Sequence, residues 1–342
     1  MKKTFDVLTV LALALLVIVI SLPAETNAAE LHIDPAKVVG PDACGECHKS
    51  SVAAWKDSQH AMTFRDLPRS DKSREIASKM GIKRIKAEGA CVSCHFTSMV
   101  KDDEPEAIAG ISCESCHGAG KDWIKVHSDF GGKDTTKETE TEEHRIARWQ
   151  DSEAAGMIRP GDLYALAENC YQCHTVPNEE LVNVGGHAAG SAFELVAWSQ
   201  GEVRHNVWYS KSNDEAPIER RRMMFLTGQM LDLEYALRGV AKATEKKTYA
   251  VKMAKRASNA MKRLSKIDEL IGGAAPEIVD AVTAASAAQL KLNNEAELTA
   301  AAESVQASAK AFAANYDGSA FGGIDPALPG PDKYKGKVAA PQ

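Results

Sequence analysis

Four short stretches of the 342-residue chain carry two cysteines three positions apart, followed at once by a histidine. Two thiols at this spacing can add to the two vinyl groups of one porphyrin, and the adjacent histidine can then bind the iron as proximal ligand. A zinc or thiol-redox site would account for the cysteine pairs but not for a histidine at the same offset four times. The stretches are Cys44 to Cys47 with His48, Cys91 to Cys94 with His95, Cys113 to Cys116 with His117, and Cys170 to Cys173 with His174. Because they use all eight cysteines, the pattern predicts four covalently attached haems c.

The other axial position of each haem needs a second ligand or stays open. Six further histidines could supply it, and we predict distal ligands at His60, His187 and His205 from their local sequence. His60 lies about 18 Å beyond His48 if the intervening residues are helical, so we expect it to bind a neighbouring haem. His32, in an extended leader, and His144, on a surface helix, are interpreted as solvated side chains.

Local sequence supports two of the distal assignments. Small residues surround His187, from Gly185 to Ala189, and they suit a backbone that presses against a flat cofactor. Arg204 precedes His205 and could neutralise a haem propionate.

The first residues resemble an export signal. A basic start at Lys2 and Lys3 leads into an apolar run from Val7 to Ile20, with small residues after it. This run is shorter than the roughly 20 residues that a spanning helix needs, so we expect a signal peptide over residues 1–29 that is cleaved rather than kept as an anchor. The pattern predicts a periplasmic protein. Its net charge of −6 argues against a nucleic-acid partner.

The predicted fold is mainly α. Residues 30–217 form a tetrahaem domain of short helices and loops, with a loop between the second and third motifs. Residues 218–316 form a long antiparallel helical hairpin that turns at Gly272 and Gly273 and serves packing or oligomerisation. Residues 317–342 are rich in glycine, proline and lysine, which predicts a flexible tail.

From about residue 42 to 175 the sequence resembles the cytochrome c-554 family, the tetrahaem carriers of ammonia-oxidising bacteria. The resemblance rests on the first motif with the following Trp55-Lys56-Asp57, on the second motif, and on Gly110-Ile111 ahead of the third motif. It implies short helices around stacked haem pairs, distal ligation by His60 and His127, and an open or weakly closed position at the haem on His95. After Cys173 the chain departs from the family's pattern.

Three functions follow from these patterns. A haem closed by two imidazoles suits electron transfer, so the leading interpretation is an electron carrier rather than an enzyme. The resemblance implies a multihaem oxidoreductase, hydroxylamine oxidoreductase in the family, or a quinone-linked membrane cytochrome as partner. The alternative is an oxidoreductase that acts on a small nitrogen or sulfur compound at one five-coordinate haem. A third interpretation is a redox subunit whose C-terminal helices dock onto a partner or a second copy.

Overall fold

The computed structural model describes residues 33–208 and 211–340, and this part of the chain is mainly helical, as predicted. The predicted signal peptide and His32 lie outside the described residues. None of the helices within those residues combines the length and the apolar character needed to cross a membrane. The first ten helices are α1 (Pro41–Gly45), α2 (Lys49–Lys56), α3 (Gln59–Asp66), α4 (Asp71–Lys79), α5 (Gly89–His95), α6 (Cys113–His117), α7 (Glu142–Ala154), α8 (Leu163–His174), α9 (Glu179–Asn183) and α10 (Leu195–Ser199). The last four are α11 (Ile218–Lys242), α12 (Thr248–Ile271), α13 (Pro276–Ala287) and α14 (Glu295–Asn315).

Three of the four haem motifs lie at the C-terminal end of a helix. The helices α5, α6 and α8 each end at the motif histidine, and His48 directly precedes α2. Residues three and four apart lie on one face of an α-helix. The helical motifs therefore present both thiols and the imidazole to the same side.

A β-hairpin, rather than the predicted loop, connects the second and third motifs. Strand β1 (Thr97–Lys101) pairs antiparallel with β2 (Glu104–Ala109). The turn residues Asp102 and Asp103 have φ values of 50° and 65°, the left-handed conformation that a tight two-residue hairpin turn requires.

Glu114, inside the third motif, ties that motif to the chain that leads into the first. Its carboxylate is buried and accepts hydrogen bonds from the backbone N–H groups of Val39 at 2.9 Å, Gly40 at 2.8 Å and Gly120 at 2.7 Å. Hydrogen bonds to a charged acceptor are among the stronger ones in proteins. This carboxylate therefore fixes the relative position of two haem motifs.

Replacing Glu114 with alanine should lower the free energy of unfolding by about 3–5 kcal/mol, because three buried N–H groups lose their acceptor together. Thermal unfolding followed by circular dichroism measures this loss. Glu46→Ala is the matched control, since Glu46 lies between the cysteines of the first motif but is exposed, and its effect should stay within about 0.5 kcal/mol. Equal melting temperatures for the two variants would contradict the assigned role of Glu114.

The predicted long helical hairpin is in fact four helices. The turn at Gly272 and Gly273 lies where it was expected, but the first arm is interrupted between α11 and α12 and the second between α13 and α14. The Glu179 carboxylate, from α9, accepts hydrogen bonds from the backbone N–H groups of Thr244 and Glu245. These amides are thereby held outside the helix. In the second arm α13 ends at Ala287, where Ala288 is extended, and Asn293 adopts a left-handed φ of 58° shortly before α14 begins.

The apolar stripe of α11 is buried within this bundle. Leu226, Met230, Leu233 and Leu237 are fully buried in one core shared with α12, α13 and α14. The same core includes apolar residues of α8, the helix that carries the fourth motif. The predicted haem segment and the C-terminal helices therefore pack around a common core.

The prediction of a flexible tail is wrong for residues 317–340. Phe321 and Ile324 are fully buried, and Arg222 forms an ion pair with Asp325 at 2.7 Å. The backbone of Lys335 exchanges hydrogen bonds with Ala197 and Glu202. The low apolar content of this glycine-rich stretch indicated disorder, yet two of its apolar residues, Phe321 and Ile324, fill places in the bundle core.

Candidate haem sites

Each motif histidine lies opposite a second histidine. The distances between ring centroids are 6.2 Å for His48 and His127, 6.4 Å for His95 and His187, 6.3 Å for His117 and His205, and 6.3 Å for His174 and His60. A metal–imidazole bond is about 2 Å long and the ring centroid lies about 1 Å behind the nitrogen, so two imidazoles on opposite sides of one ion have centroids about 6 Å apart. Each gap therefore has the width that one iron with two axial imidazoles requires.

Hydrogen bonds at Nδ1 orient several of these rings. A carbonyl oxygen can only accept, so a ring nitrogen bonded to it carries the proton and leaves Nε2 free to bind a metal. The pairs are His117 with Ile158 at 3.0 Å, His127 with Ile124 at 2.6 Å, His187 with Ala188 at 2.9 Å and His205 with Val203 at 2.6 Å. Nδ1 of His174 lies 3.2 Å from the Ser191 hydroxyl.

Burial favours the neutral form of two of the paired rings, His95 and His174. Burial, and after it the charges of His187 and His60, lower the pKa of His95 to about 4. Burial, followed by the charges of His60 and His95, likewise lowers the pKa of His174 to about 4. An imidazole must be neutral to bind a metal. At neutral pH these side chains are therefore in the form that iron ligation needs.

The four motifs are packed against one another through their cysteines. The Cys44 side chain lies beside that of Cys113, which places the first and third motifs next to each other. The Cys94 side chain lies beside that of Cys173, which does the same for the second and fourth motifs. The Asn169 side chain, on α8, donates to the Cys116 carbonyl at 3.0 Å and links the third motif to the fourth. The candidate sites thus form a contiguous series.

Two side chains near the histidine pairs have buried N–H groups without a protein acceptor. Within the described residues, Trp123 Nε1 and both Nε and Nη1 of Arg204 make no hydrogen bond. The Trp123 ring lies 5.1 Å from the His127 ring, Arg204 directly precedes His205, and the nearest carboxylate of Arg204, that of Glu215, is 4.0 Å away. Carboxylates such as haem propionates are suitable acceptors for such donors. The histidine pairs, the cysteine motifs and the N–H groups without an acceptor therefore all fit bound haem.

Some residues near the sites gave little signal in the sequence. The Phe193 ring stacks on His174 at a centroid distance of 4.4 Å, and Ser191 contacts the same imidazole. Both lie in a loop of small residues after His187, which pointed only to close backbone approach. His144, by contrast, pairs with Glu140 at 2.7 Å, in agreement with its interpretation as a surface histidine. Across the part of the chain that the structure describes, no group of three or more His, Cys, Asp and Glu side chains is placed to hold a metal ion by itself.

Comparison with known proteins decides the class of this site. Residues 43–118, which include the first three motifs, match the family described as cytochrome c554 and c-prime. The predicted resemblance to the cytochrome c-554 family is confirmed. The chain is 26% identical over 164 residues to cytochrome c-554 of Nitrosomonas europaea, an alignment that covers 44% of this chain and 62% of that protein. No solved structure gives a significant match.

The c-554 resemblance establishes covalently bound haem of the c type in this chain. The aligned part spans less than two thirds of the Nitrosomonas protein. The fourth motif, His127, His187 and His205 all follow the segment that the family description matches. The roles of these residues in binding haem therefore rest on their own geometry.

Proposed function

We propose that the protein is a periplasmic tetrahaem c-type cytochrome that transfers electrons between redox partners through closely spaced haems. The observation that carries the proposal is the set of four histidine pairs, each 6.2–6.4 Å between ring centroids and each containing one motif histidine. Haem supplies one-electron redox chemistry when it is bound. The cysteines anchor it, and the paired imidazoles fix the two axial positions.

The pairing supports one distal ligand for each proposed haem. His127 serves the haem on His48, His187 the haem on His95, His205 the haem on His117, and His60 the haem on His174. His60 thus acts on a neighbouring haem, because its helix carries it away from His48. The position of His187 favours a closed haem at His95, where the family resemblance implied an open or weakly closed one.

Closed coordination favours a carrier over the alternative enzyme. Two imidazoles on one iron leave no free position for a small nitrogen or sulfur compound. The Nδ1 hydrogen bonds of His117, His127, His187 and His205 would hold these ligands in place at the iron. The cysteine contacts between the first and third motifs and between the second and fourth, together with the Asn169 bond between the third and fourth, support a path in the order first, third, fourth and second motif.

The proposed location and redox partners are inferred from the leader sequence and from the family resemblance. The leader at residues 1–29 supports export to the periplasm, and the family resemblance supports a multihaem oxidoreductase or a quinone-linked membrane cytochrome as partner. An oligomer through the C-terminal helices would need their outer faces, because the apolar stripe of α11 is buried within the bundle.

Mass spectrometry and electron paramagnetic resonance of the purified protein test the proposal together. We expect a mass equal to the chain from about residue 30 onward plus four haems. We also expect low-spin signals that integrate to four irons per chain and do not change when cyanide is added. The double variant Cys91→Ala with Cys94→Ala should carry three haems. Fewer than four haems in the parent protein, or a high-spin signal that responds to cyanide, would overturn the proposal.

A further inference from the structure

Basic side chains form a stripe along one face of α12. Lys252, Lys255, Arg256, Arg263 and Lys266 lie at helical spacing over 14 residues, or about 21 Å of helix length. Like charges three and four residues apart on a helix destabilise it by a few tenths of a kcal/mol per pair, roughly 0.2–0.5. The ion pairs of Arg256 and Arg263 with Asp232 offset part of this repulsion, and among the described residues Lys252 and Lys255 are the members of the stripe without such a partner.

The stripe forms one wall of an open groove of about 720 Å³. The loop of residues 189–194 also lines the groove, and Phe225, Ile267 and Leu270 contribute apolar surface to it. Protein interfaces commonly combine an apolar centre with a polar rim. This groove has that composition, and its rim is basic.

The acidic residues of the groove are already engaged. Asp232 is buried and forms ion pairs with Arg256 and Arg263. The Glu194 carboxylate accepts hydrogen bonds from two backbone N–H groups at the start of α10, at 3.1 and 2.6 Å. Among the described residues, Lys252 and Lys255 are exposed and have no ion-pair partner. Lys266 pairs with Glu269 at 2.6 Å, so five cations stand against three carboxylates, and the groove remains positive in a chain whose net charge is −6.

The groove adjoins one histidine pair directly. Arg256 Nη1 donates to the Ser191 carbonyl at 3.2 Å, and the Ser191 hydroxyl lies 3.2 Å from Nδ1 of His174. Phe193 lines the groove and stacks on the His174 ring at 4.4 Å. A molecule seated in the groove is therefore separated from the axial imidazole only by this loop.

We infer that the groove docks the acidic face of a protein redox partner beside the haem site of His174. The inference rests on the proposed function and names the chemistry of the partner and the place where it binds. One electron passes from the reduced partner to this site, so the partner is oxidised and the site is reduced. No bond is made or broken. Charge complementarity of this kind chiefly steers encounter and makes association depend on salt.

Binding to flavodoxin, a small acidic redox protein, tests this inference. The groove variant is Lys252→Glu with Lys255→Glu and Lys266→Glu. The control variant is Lys246→Glu with Lys262→Glu and Lys291→Glu, which makes the same change of net charge at exposed positions outside the groove. Titration calorimetry at low salt should show at least about tenfold weaker binding for the groove variant and less than about threefold for the control, with parental binding itself weaker at about 0.2 M salt.

Reduction rates distinguish a loss of docking from a general effect of net charge. The rate of reduction by flavodoxin hydroquinone should fall in the groove variant, whereas reduction by the small cation hexaammineruthenium(II) should not. Equal losses of flavodoxin binding in both variants would overturn the inference, because net charge alone would then explain the effect. A change in sedimentation mass confined to the groove variant would overturn it too, since the groove would then hold a second copy of this chain.

Haem content and low-spin spectra of all three proteins keep this inference distinct from the proposed function. Unchanged spectra in the groove variant show that lost binding is lost docking. Four low-spin haems together with unaltered flavodoxin binding in the groove variant would overturn the docking site and leave the electron-carrier proposal standing.

Discussion

Replacing His187 with alanine should open one of the four haem sites and leave the other three closed. His187 lies opposite His95 at 6.4 Å between ring centroids, and its Nδ1 bond to the Ala188 carbonyl directs Nε2 to the gap. Without the imidazole, the iron on His95 has an empty axial position that small ligands can occupy. We expect a high-spin signal that integrates to one iron per chain and disappears on addition of cyanide, measured by low-temperature electron paramagnetic resonance.

His144→Ala is the control for this experiment. His144 pairs with Glu140 and lies opposite no motif histidine, so its removal should leave every signal low-spin. A parent protein that already binds cyanide, or a His187→Ala variant without a high-spin signal, would contradict the assignment of His187. The first of these outcomes would also revive the alternative of an enzyme that acts at the haem on His95.

The motifs could be predicted from sequence because their chemistry is local. Two thiols and an imidazole within five residues fit one porphyrin whatever the rest of the fold does. The pairing could not be predicted, because His60 and His174 meet only once α3 and α8 are packed together. The sequence alone could predict only that His60 does not share a haem with His48, because the length of the helical segment between them sets their separation.

The breaks in the C-terminal helices show a second limit of prediction from sequence. Residues 243–247 contain neither proline nor glycine, and the helix ends there because Glu179, about 65 positions earlier in the chain, binds two of its amides. By contrast, Asn293 and Asn294 were a readable signal for the second break, since asparagine tolerates the left-handed conformation. The basic stripe of α12 was present in the sequence as well, but lysines at helical spacing usually mark only a solvated face.

Gly110 shows how a single position can link stability to ligation. A Cβ atom at Gly110 would lie 2.1 Å from the His60 carbonyl oxygen and 2.8 Å from that of Ala61. Both contacts are to backbone, so a side chain here must push away the start of α3, the helix that positions His60 opposite His174. Gly110→Ala should therefore lower the free energy of unfolding by about 2–4 kcal/mol and also disturb one haem.

The two effects of Gly110→Ala are measured on the same sample. Thermal unfolding gives the loss of stability, and electron paramagnetic resonance well below the melting temperature should show a changed low-spin signal, or a partial high-spin signal, for no more than one iron per chain. Gly161→Ala is the control, because a Cβ there meets no atom within 4 Å and should change stability by less than about 0.5 kcal/mol. If Gly110→Ala lowered the melting temperature while all four signals stayed as in the parent, the strain would be absorbed elsewhere in α3. His60 would then be held by its haem more firmly than by the backbone around Gly110.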